Sequence, residues 1–368
     1  MPLLDFSTHA FGLDIGDRSI KAVELRLSRF SIGKPRLTMH AWNEIPIPEG
    51  MFSPGKIERP AEAAALLRSV VQTATPKPIR PRAVVLSLPE STTFVKTIEI
   101  PRVPREQVAL AIARESEEHI PLPLAEAILD WQLLVPLEQD KTIRAIVAAA
   151  PRALVENFVT TLEDTGLIVL AVEAEALSLV RGLLLEDLLP GDNAIGILDL
   201  GATRSNIIIF DEGTIQLSTS IRFSGDTVTK MIAERLNISW EDAEKIKIEC
   251  GLEPERCENR IRPIIATILS DLVSDIRTAL NAYRQSKTDG HPVGLLYITG
   301  GSANATMIDT FLRQKLHLKV HRANPLRGFL TPASFPAERA ASFTTAIGLA
   351  RRATRYLPVE TEGALSLS

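Results

Sequence analysis

Two segments, half the chain apart, place an aspartate and a glycine in the pattern of a phosphate-binding turn. They are Phe11–Lys21 (FGLDIGDRSIK) and Ile197–Asn206 (ILDLGATRSN). In each, apolar residues lead into Asp-apolar-Gly and a short polar turn, after which apolar residues resume. The glycine lets backbone N–H groups approach an anion, and the aspartate before it, Asp14 or Asp199, can hold hydrated Mg²⁺. One copy is typical of an ordinary hairpin, but two copies predict turns that clamp the phosphates of one nucleotide from opposite sides.

A third glycine motif follows about a hundred residues after the second hairpin. It is Tyr297–Asn304 (YITGGSAN), which reads as a strand, a Gly-Gly turn and the start of a helix. Bare glycine backbone accepts a flat base or a phosphate, and a helix N-terminus adds N–H donors and partial positive charge. The motif alone is common in α/β proteins, so its weight comes from following two hairpins in order.

Length and composition set broad limits on the class of protein. The chain has 368 residues, of which 45% are hydrophobic and 23% charged, enough for two globular domains. A net charge of −4 predicts no general attraction to nucleic acid or to an anionic membrane. Neither a membrane-spanning apolar run nor a secretory signal is recognisable. We therefore expect a cytoplasmic protein without direct membrane insertion.

The cysteines and histidines offer no competing chemistry. Cys250 and Cys257 lack neighbours spaced for a metal site, so we expect structural thiols in a reducing cytosol rather than a disulfide. His317 and His321 flank residues typical of a strand, so the two rings are not expected to share a helical face as metal ligands.

The predicted elements place the two hairpins in two related α/β halves. Residues 1–190 form the first domain, residues 191–355 the second, and residues 356–368 a loose tail; the break between the halves is at Pro190-Gly-Asp-Asn. Within the first domain, strands, a helix near 104–119 and further strands predict a small α+β insert at about 91–150.

These motifs resemble those of the superfamily that contains actin, hexokinase and the heat-shock chaperone ATPases. The resemblance rests on both hairpins, on Thr299-Gly-Gly301, on Ala346-Ile-Gly348 and on the helix start Ser224–Thr229. It implies two actin-like, ribonuclease-H-like domains that flank a nucleotide cleft, with ATP and Mg²⁺ as cofactors. Segment Trp240–Lys247 resembles a short helix that reaches the ribose in bacterial actin-like proteins.

Within that superfamily the chain is most similar to the type IV pilus assembly protein M family, over nearly its whole length. The stretches that carry the similarity are Phe11–Gly16, Ser19–Leu25, Leu86–Pro89, Ile98–Pro101, Glu115–Pro123, Val172–Leu177 and Ala323–Pro325. The insert at 91–150 fits the subdomain that this family shares with cell-division actin-like proteins.

The resemblance assigns roles to individual residues. Asp14 and Asp199 are the expected Mg²⁺ ligands, acting through water. Glu175 is expected to position attacking water, with Glu173 as the alternative. Lys21 is expected on the phosphates, the alternative being a surface lysine on an edge strand. Glu244 and Lys247 are expected at the ribose, or on a solvated helix face. The full set of expected nucleotide contacts is Asp14, Gly16, Asp17, Arg18, Ser19, Lys21, Asp199, Gly201, Ala202, Thr203, Glu244, Lys247, Gly300, Gly301, Ser302 and Asn304.

The first turn departs from the family pattern, which is small and rich in hydroxyl groups. Here Asp17 and Arg18 precede Ser19, and Arg204 stands in the second turn. An aspartate aimed at a phosphate repels it, whereas an arginine attracts it. Hydrolysis is therefore expected to be slow, and a pseudo-ATPase without a nucleotide cycle stays among the alternatives.

The resemblance implies an ATP-binding scaffold of type IV pilus assembly, held at the inner membrane through a partner. That partner is the cytoplasmic N-terminal segment of pilus assembly protein N, expected in a groove of the insert near Ile100, Val103, Ile112 and Ile120, whose alternative role is core packing. Other pilus proteins and self-association are further possible contacts. The alternative functions are a small-molecule or sugar kinase of the superfamily and a filament-forming cell-division actin homologue.

Overall fold

The structure is a computed structural model that describes residues 9–28, 36–53, 56–134, 141–183, 193–253, 255–257, 260–287 and 290–354. The predicted break at Pro190-Gly-Asp-Asn lies mostly outside the described residues, and the predicted tail 356–368 lies wholly outside them. No helix among the described residues is both long enough and apolar enough to span a bilayer.

Strands and helices alternate along the chain. The strands are β1 (Ala10–Ile15), β2 (Ser19–Ser28), β3 (Arg36–Pro46), β4 (Phe52–Ser53), β5 (Lys56–Ile57), β6 (Ala83–Leu88), β7 (Phe94–Pro101), β8 (Ala127–Leu133), β9 (Thr142–Pro151), β10 (Ile168–Ala174), β11 (Ala194–Leu200), β12 (Ser205–Asp211), β13 (Thr214–Ile221), β14 (Val293–Thr299), β15 (Lys319–Arg322) and β16 (Phe329–Leu330). The helices are α1 (Pro60–Gln72), α2 (Arg105–Glu117), α3 (Arg152–Glu163), α4 (Glu175–Leu183), α5 (Gly225–Leu236), α6 (Trp240–Cys250), α7 (Arg262–Ser286), α8 (Ile308–Leu316) and α9 (Thr344–Ala353).

Each half is built on a sheet with one of the two hairpins near its centre. The first sheet has the order β10-β6-β1-β2-β3-β16, and the second β13-β12-β11-β14-β15. In both sheets the first strand of the hairpin also pairs in parallel with a later strand, β6 or β14. Parallel strands end at the same edge of a sheet, so the turn of each hairpin lies beside the loop that leaves its parallel neighbour. The predicted α/β class with two related halves is confirmed.

Helix α5 begins within the segment Ser224–Thr229, where the sequence motif predicts a helix start. The Ser224 side chain accepts a hydrogen bond from the Thr227 N–H and so caps the first turn. Asn237, in the left-handed conformation, ends the helix. The N-terminus of the helix lies at the second hairpin, where the Gly225 N–H donates to the Gly201 carbonyl.

The insert predicted at 91–150 is a three-stranded antiparallel sheet, β7-β9-β8, packed with α2 around its own core. Strand β9 is central and pairs with both neighbours. This part of the chain is therefore an α+β unit.

The C-terminal part of the described chain returns to the first half. Strand β16 pairs with β3, and α9 packs against β1 and α4. Glycines allow this close approach: a Cβ on Gly348 would lie 1.9 Å from the Ser178 carbonyl oxygen, and one on Gly12 2.3 Å from the Ala350 nitrogen. The sequence pattern placed residues 191–355 in the second domain, but the packing attaches the segment from Phe329 to Ala353 to the first.

The prediction for the cysteines is wrong. Cys250 and Cys257 form a disulfide bond, with their Cα atoms 5.9 Å apart. The chain turns sharply after α6, where Gly251 has a φ of +52°, and brings Cys257 back to the end of the helix. His317 and His321 do not share a helical face, as expected, since His317 follows the last residue of α8 and His321 lies in β15.

Candidate nucleotide-binding cleft

A cavity of about 810 Å³ lies between the two hairpin turns. Its walls come from both hairpins, the Gly-Gly turn after β14, α6 and the start of α5. Residues that the sequence predicted as nucleotide contacts and that line it are Asp14, Gly16, Asp17, Arg18, Ser19, Lys21, Asp199, Gly201, Ala202, Glu244, Lys247, Gly300, Gly301, Ser302 and Asn304. Thr203 does not line the cavity and instead donates a hydrogen bond to Asp17.

Three carboxylates that interact with one another, those of Asp14, Asp199 and Glu175, line the cavity. Asp14 and Asp199 are buried, and Glu175 is half-buried. Burial raises the pKa of Asp14, although nearby Lys21 opposes the effect. Burial, with the neighbouring Asp14 charge, raises the pKa of Asp199 to about 7. Burial and the charge of Asp199 raise the pKa of Glu175 well above its usual value.

Such a cluster is costly without a cation, because three carboxylates at close quarters repel one another. Oxygen ligands of this type suit Mg²⁺, which binds through one or two carboxylates, waters and substrate phosphates. Asp14 and Asp199 stand at the same position of their hairpins, opposite Lys21 and Asn206 respectively in the strand register. The donor set therefore fits a hydrated Mg²⁺ ion between the two halves.

Lys21 lies inside the first sheet rather than at its edge, since β2 runs between β1 and β3. Its Nζ donates to the Ser19 hydroxyl at 2.9 Å and lies 3.7 Å from a Glu44 carboxylate oxygen. The alternative of a lysine on an edge strand is therefore wrong. The ammonium group faces the cavity, where it can meet an anion.

Two glycines are required by close contacts in the cleft. A Cβ on Gly201 would lie 2.4 Å from the Arg204 carbonyl oxygen inside its own turn. Gly300 has a φ of +85°, and a Cβ there would lie 2.5 Å from Asp199 Oδ1. These turns therefore keep backbone rather than side chains next to the carboxylates, which leaves room for phosphates.

Helix α6 brings Glu244 and Lys247 to the cavity as a fixed pair. Lys247 Nζ donates to Glu244 at 2.7 Å, to the Thr229 hydroxyl at 2.8 Å and to the Gly225 carbonyl at 3.2 Å. Thr229 also donates to Glu244. Both residues line the cavity, with the Glu244 side chain 38% exposed and the Lys247 side chain 16% exposed.

Glu173 and Glu175 occupy different environments. Glu173 is buried and accepts hydrogen bonds from Arg181 at 2.5 Å and Arg352 at 2.6 Å. Glu175 lines the cavity beside Asp14 and Asp199. Of the two candidates, only Glu175 is placed to reach a water molecule in the cleft.

Contacts between the hairpin turns cross the cleft. Asp17 accepts from Thr203 and Arg204 of the second half, and Arg18 donates to Asp226 at 2.6 Å. The sequence pattern of Ser224–Thr229 predicted a helix start but gave Asp226 no role. Glu44, which pairs with Arg339 at 2.7 Å, carried no recognisable signal.

The residues predicted to form a partner groove pack mainly in the core of the insert. Ile100, Ile112 and Ile120 are buried there, and Val103 is half-buried against the same cluster. Since a buried side chain cannot contact a partner directly, the core-packing alternative describes these three isoleucines in this structure.

Residues 12–354 match the family described as type IV pilus assembly protein PilM. This chain belongs to that family. A solved PilM–PilN type IV pilus biogenesis complex is similar to the chain with a TM-score of 0.79 and 25% sequence identity, over 94% of this chain and 99% of that one. The resemblance noted from the motifs is confirmed.

The chain also has more distant similarities. The cell division protein FtsA of Buchnera aphidicola subsp. Baizongia pistaciae is 25% identical over 186 residues, which is 44% of this chain and 44% of the relative. FtsA of Staphylococcus epidermidis is 22% identical over 206 residues, or 50% of this chain and 42% of the relative. The match thus spans less than half the length of these curated relatives. MreB5 of Spiroplasma citri bound to ADP is 14% identical with a TM-score of 0.52, over 92% of this chain and 94% of that one, which shows an actin-like fold.

Proposed function

We propose that this PilM-family protein is an ATP-binding, actin-like scaffold of type IV pilus assembly, and that it binds the cytoplasmic N-terminal segment of inner-membrane protein N. The observation that carries the nucleotide part is the meeting of both Asp-x-Gly turns at one cavity. A relative of the same fold is bound to ADP. The protein would thus be peripheral at the inner membrane through its partner.

Each group of residues in the cleft would have a role that follows from its chemistry. Asp14 and Asp199 would hold Mg²⁺ through water, and the ion would supply charge neutralisation for the phosphates. The backbone of both turns and the Lys21 ammonium would bind the phosphates. Glu244 and Lys247 would hold the ribose, and the Gly300-Gly301 backbone would lie against the nucleoside. Glu175 would orient a water molecule, and we expect slow hydrolysis.

The experiment is equilibrium binding of ATP with Mg²⁺ to the purified protein and to Asp14→Asn and Asp199→Asn. Asparagine keeps the volume of these buried side chains, so a loss of affinity reports on charge rather than on a cavity in the core. We expect each variant to weaken binding at least about tenfold. Folded wild-type protein that bound no nucleotide would refute the proposal.

An exposed apolar surface on the insert supports the proposal of a partner site there. Trp131 and Leu133 are exposed on β8, yet they pair with Val147 and Ala145, which belong to the core of the insert. Cross-strand partners share a face of the sheet, so the exposed side chains of Trp131 and Leu133 lie on the same face as the core of the insert. Helix α2 covers this face over β7. An apolar ledge is therefore left beside α2, next to the outer edge of β8.

A short apolar segment can bind such a ledge with its side chains. Its backbone can pair with the outer edge of β8, which pairs with no strand among the described residues. We expect Trp131→Ala to weaken binding of a synthetic peptide of the protein N segment about tenfold or more. Ile168→Ala, which truncates an exposed apolar residue of β10, is the matched control and should leave the affinity unchanged. Equal affinities for all three proteins would remove the ledge as the docking site.

A further inference from the structure

Asp17 stands at the tip of the first hairpin and is bound by the tip of the second. Its Oδ2 accepts from the Thr203 hydroxyl and from Arg204 Nε at 3.3 Å, and its Oδ1 accepts from Arg204 Nη2 at 3.1 Å. Arg204 is further fixed by a hydrogen bond to Ser91. Both carboxylate oxygens of Asp17 are thus engaged by donors from the opposite half.

These donors are the kind that a phosphate group uses. A guanidinium fork and a hydroxyl bind phosphate and carboxylate oxygens with the same geometry. Both donors belong to the turn of the second hairpin, where Arg204 lines the cavity and Thr203 precedes it in the chain. Asp17 is therefore an anionic group of the protein itself that engages donors suited to a phosphate group.

The second arginine at the turns is also neutralised. Arg18 donates to Asp226 at 2.6 Å, and its guanidinium lies 5.9 Å from the centre of the Trp240 ring. The guanidinium groups of Arg18 and Arg204 are thus each paired with a carboxylate from the opposite half. Arg339, the third arginine that lines the cavity in the described part of the chain, is paired with Glu44. A phosphate added at the turns would therefore meet the charge of Asp17 where each of these arginines already has a carboxylate partner.

We infer that Asp17 occupies the position of the terminal phosphate and makes the cleft select a nucleoside diphosphate over a triphosphate. This inference rests on the proposed function, since it takes the cleft to bind adenine nucleotides. A diphosphate leaves Asp17 on Thr203 and Arg204. A triphosphate has to displace it and then lies close to a displaced negative charge, which weakens binding.

The test compares the dissociation constants of ADP and the non-hydrolysable ATP analogue AMPPNP, both with Mg²⁺, measured by calorimetry. For the wild type we expect ADP to bind at least about tenfold more tightly than AMPPNP. Asp17→Asn keeps the size and a hydrogen-bond acceptor but removes the charge, and should reduce this ratio to about threefold or less. Asp17→Ser, which gives the turn a hydroxyl, should do the same.

The control is Asp164→Asn, which removes one exposed carboxylate at the end of α3, away from the cavity, and should keep the wild-type ratio. Thermal unfolding of all variants checks that they are folded. ADP binding with a wild-type ratio near one, or a ratio that Asp17→Asn leaves unchanged, overturns the role of Asp17 while nucleotide binding stands. Absence of binding by the wild type and by both Asp17 variants overturns nucleotide binding itself, and the inference with it.

Discussion

Glu173 and Glu175 show how two residues of one type, two positions apart, take different roles. Glu173 lies near the end of β10 and is bonded to two arginines, whereas Glu175 is the first residue of α4 and lines the cavity. Arg352 is 179 positions from Glu173 in the sequence. No local pattern could show that pairing, so the sequence left the two glutamates as alternatives and only the fold separates them.

Glu175→Gln should abolish hydrolysis and spare nucleotide binding. Glutamine keeps the shape of the side chain but cannot accept a proton from water, so any phosphate release should fall at least about a hundredfold. The dissociation constant for AMPPNP should change by less than about threefold. A hydrolysis rate equal to that of the wild type would exclude Glu175 as the residue that orients water.

Glu173→Gln should instead destabilise the fold. The substitution removes the negative charge to which the Arg181 and Arg352 guanidinium groups are bonded, and breaking a buried ion pair costs about 3 kcal/mol in the free energy of unfolding. Urea unfolding at neutral pH measures this loss. An unchanged unfolding free energy together with lost hydrolysis would reverse the assignments of the two glutamates.

At the scale of elements, strand and helix patterns were sufficient where the signal is local. The bounds of α5 follow from its cap, and both hairpins follow from their turns. The position of α9 was not predictable in the same way, because a helix pattern does not say against which sheet the helix packs. Gly348 belongs to the motif Ala346-Ile-Gly348, but the need for glycine at this position comes from a close contact with α4 that only the tertiary structure shows.

Gly348→Ala should therefore destabilise the protein strongly. The new Cβ would lie 1.9 Å from the Ser178 carbonyl oxygen and 3.1 Å from the Gly182 nitrogen, so α9 would have to move away from α4. Overpacking of this kind typically costs 1–3 kcal/mol or more, and we expect a loss of about 3 kcal/mol. Gly301→Ala is the control, since a Cβ there meets nothing within 4 Å. Equal melting temperatures for the two variants would contradict the packing argument.

The end of β12 is a second junction between elements. Asp211 accepts hydrogen bonds from the Tyr283 hydroxyl at 2.6 Å and from the His291 N–H at 3.2 Å, and so ties β12 to α7 and to the start of β14. Burial alone would raise the pKa of Asp211, but these hydrogen bonds outweigh it and hold the pKa below its ordinary value of 3.8. The ionised form is therefore favoured by folding.

A group with a lowered pKa stabilises the fold above its unfolded pKa and loses that contribution as the pH falls through its folded pKa. We expect Asp211→Asn to cost about 2 kcal/mol of unfolding free energy at pH 7. The difference from the wild type should shrink below about pH 4 and vanish at more acidic pH. Urea unfolding across this range measures it, and a difference that is constant with pH would rule out the ionic contribution.

At the scale of the whole molecule, the insert touches both halves. It belongs to the first half by sequence, yet the Thr97 hydroxyl of β7 contacts the Thr214 hydroxyl at 2.8 Å and donates to the Ile215 carbonyl at 2.8 Å. Arg144 of β9 donates to Glu212. A shared core cluster includes Val95 of the insert and residues of β11, β12 and β13. Any change in the orientation of the second half relative to the first would therefore act on the insert through these contacts.

Because of these contacts, nucleotide and partner segment should change each other's affinity. Ligands that favour one relative orientation of the halves shift the same equilibrium, and the coupling is reciprocal. We expect AMPPNP to change the affinity for the protein N peptide about fivefold or more in the wild type. An unchanged peptide affinity would mean that the cleft and the insert act independently.

Thr97→Val tests whether the contact between β7 and β13 carries that coupling. Valine keeps the β-branched shape of threonine and removes both hydrogen bonds across the boundary. The affinity for each ligand alone should remain within about twofold, while the coupling factor should fall toward one, because the insert no longer follows β13. Thr278→Val, which removes an exposed hydroxyl bonded within α7, is the matched control and should keep the wild-type coupling. Full coupling in Thr97→Val would place the connection in the apolar cluster around Val95 instead.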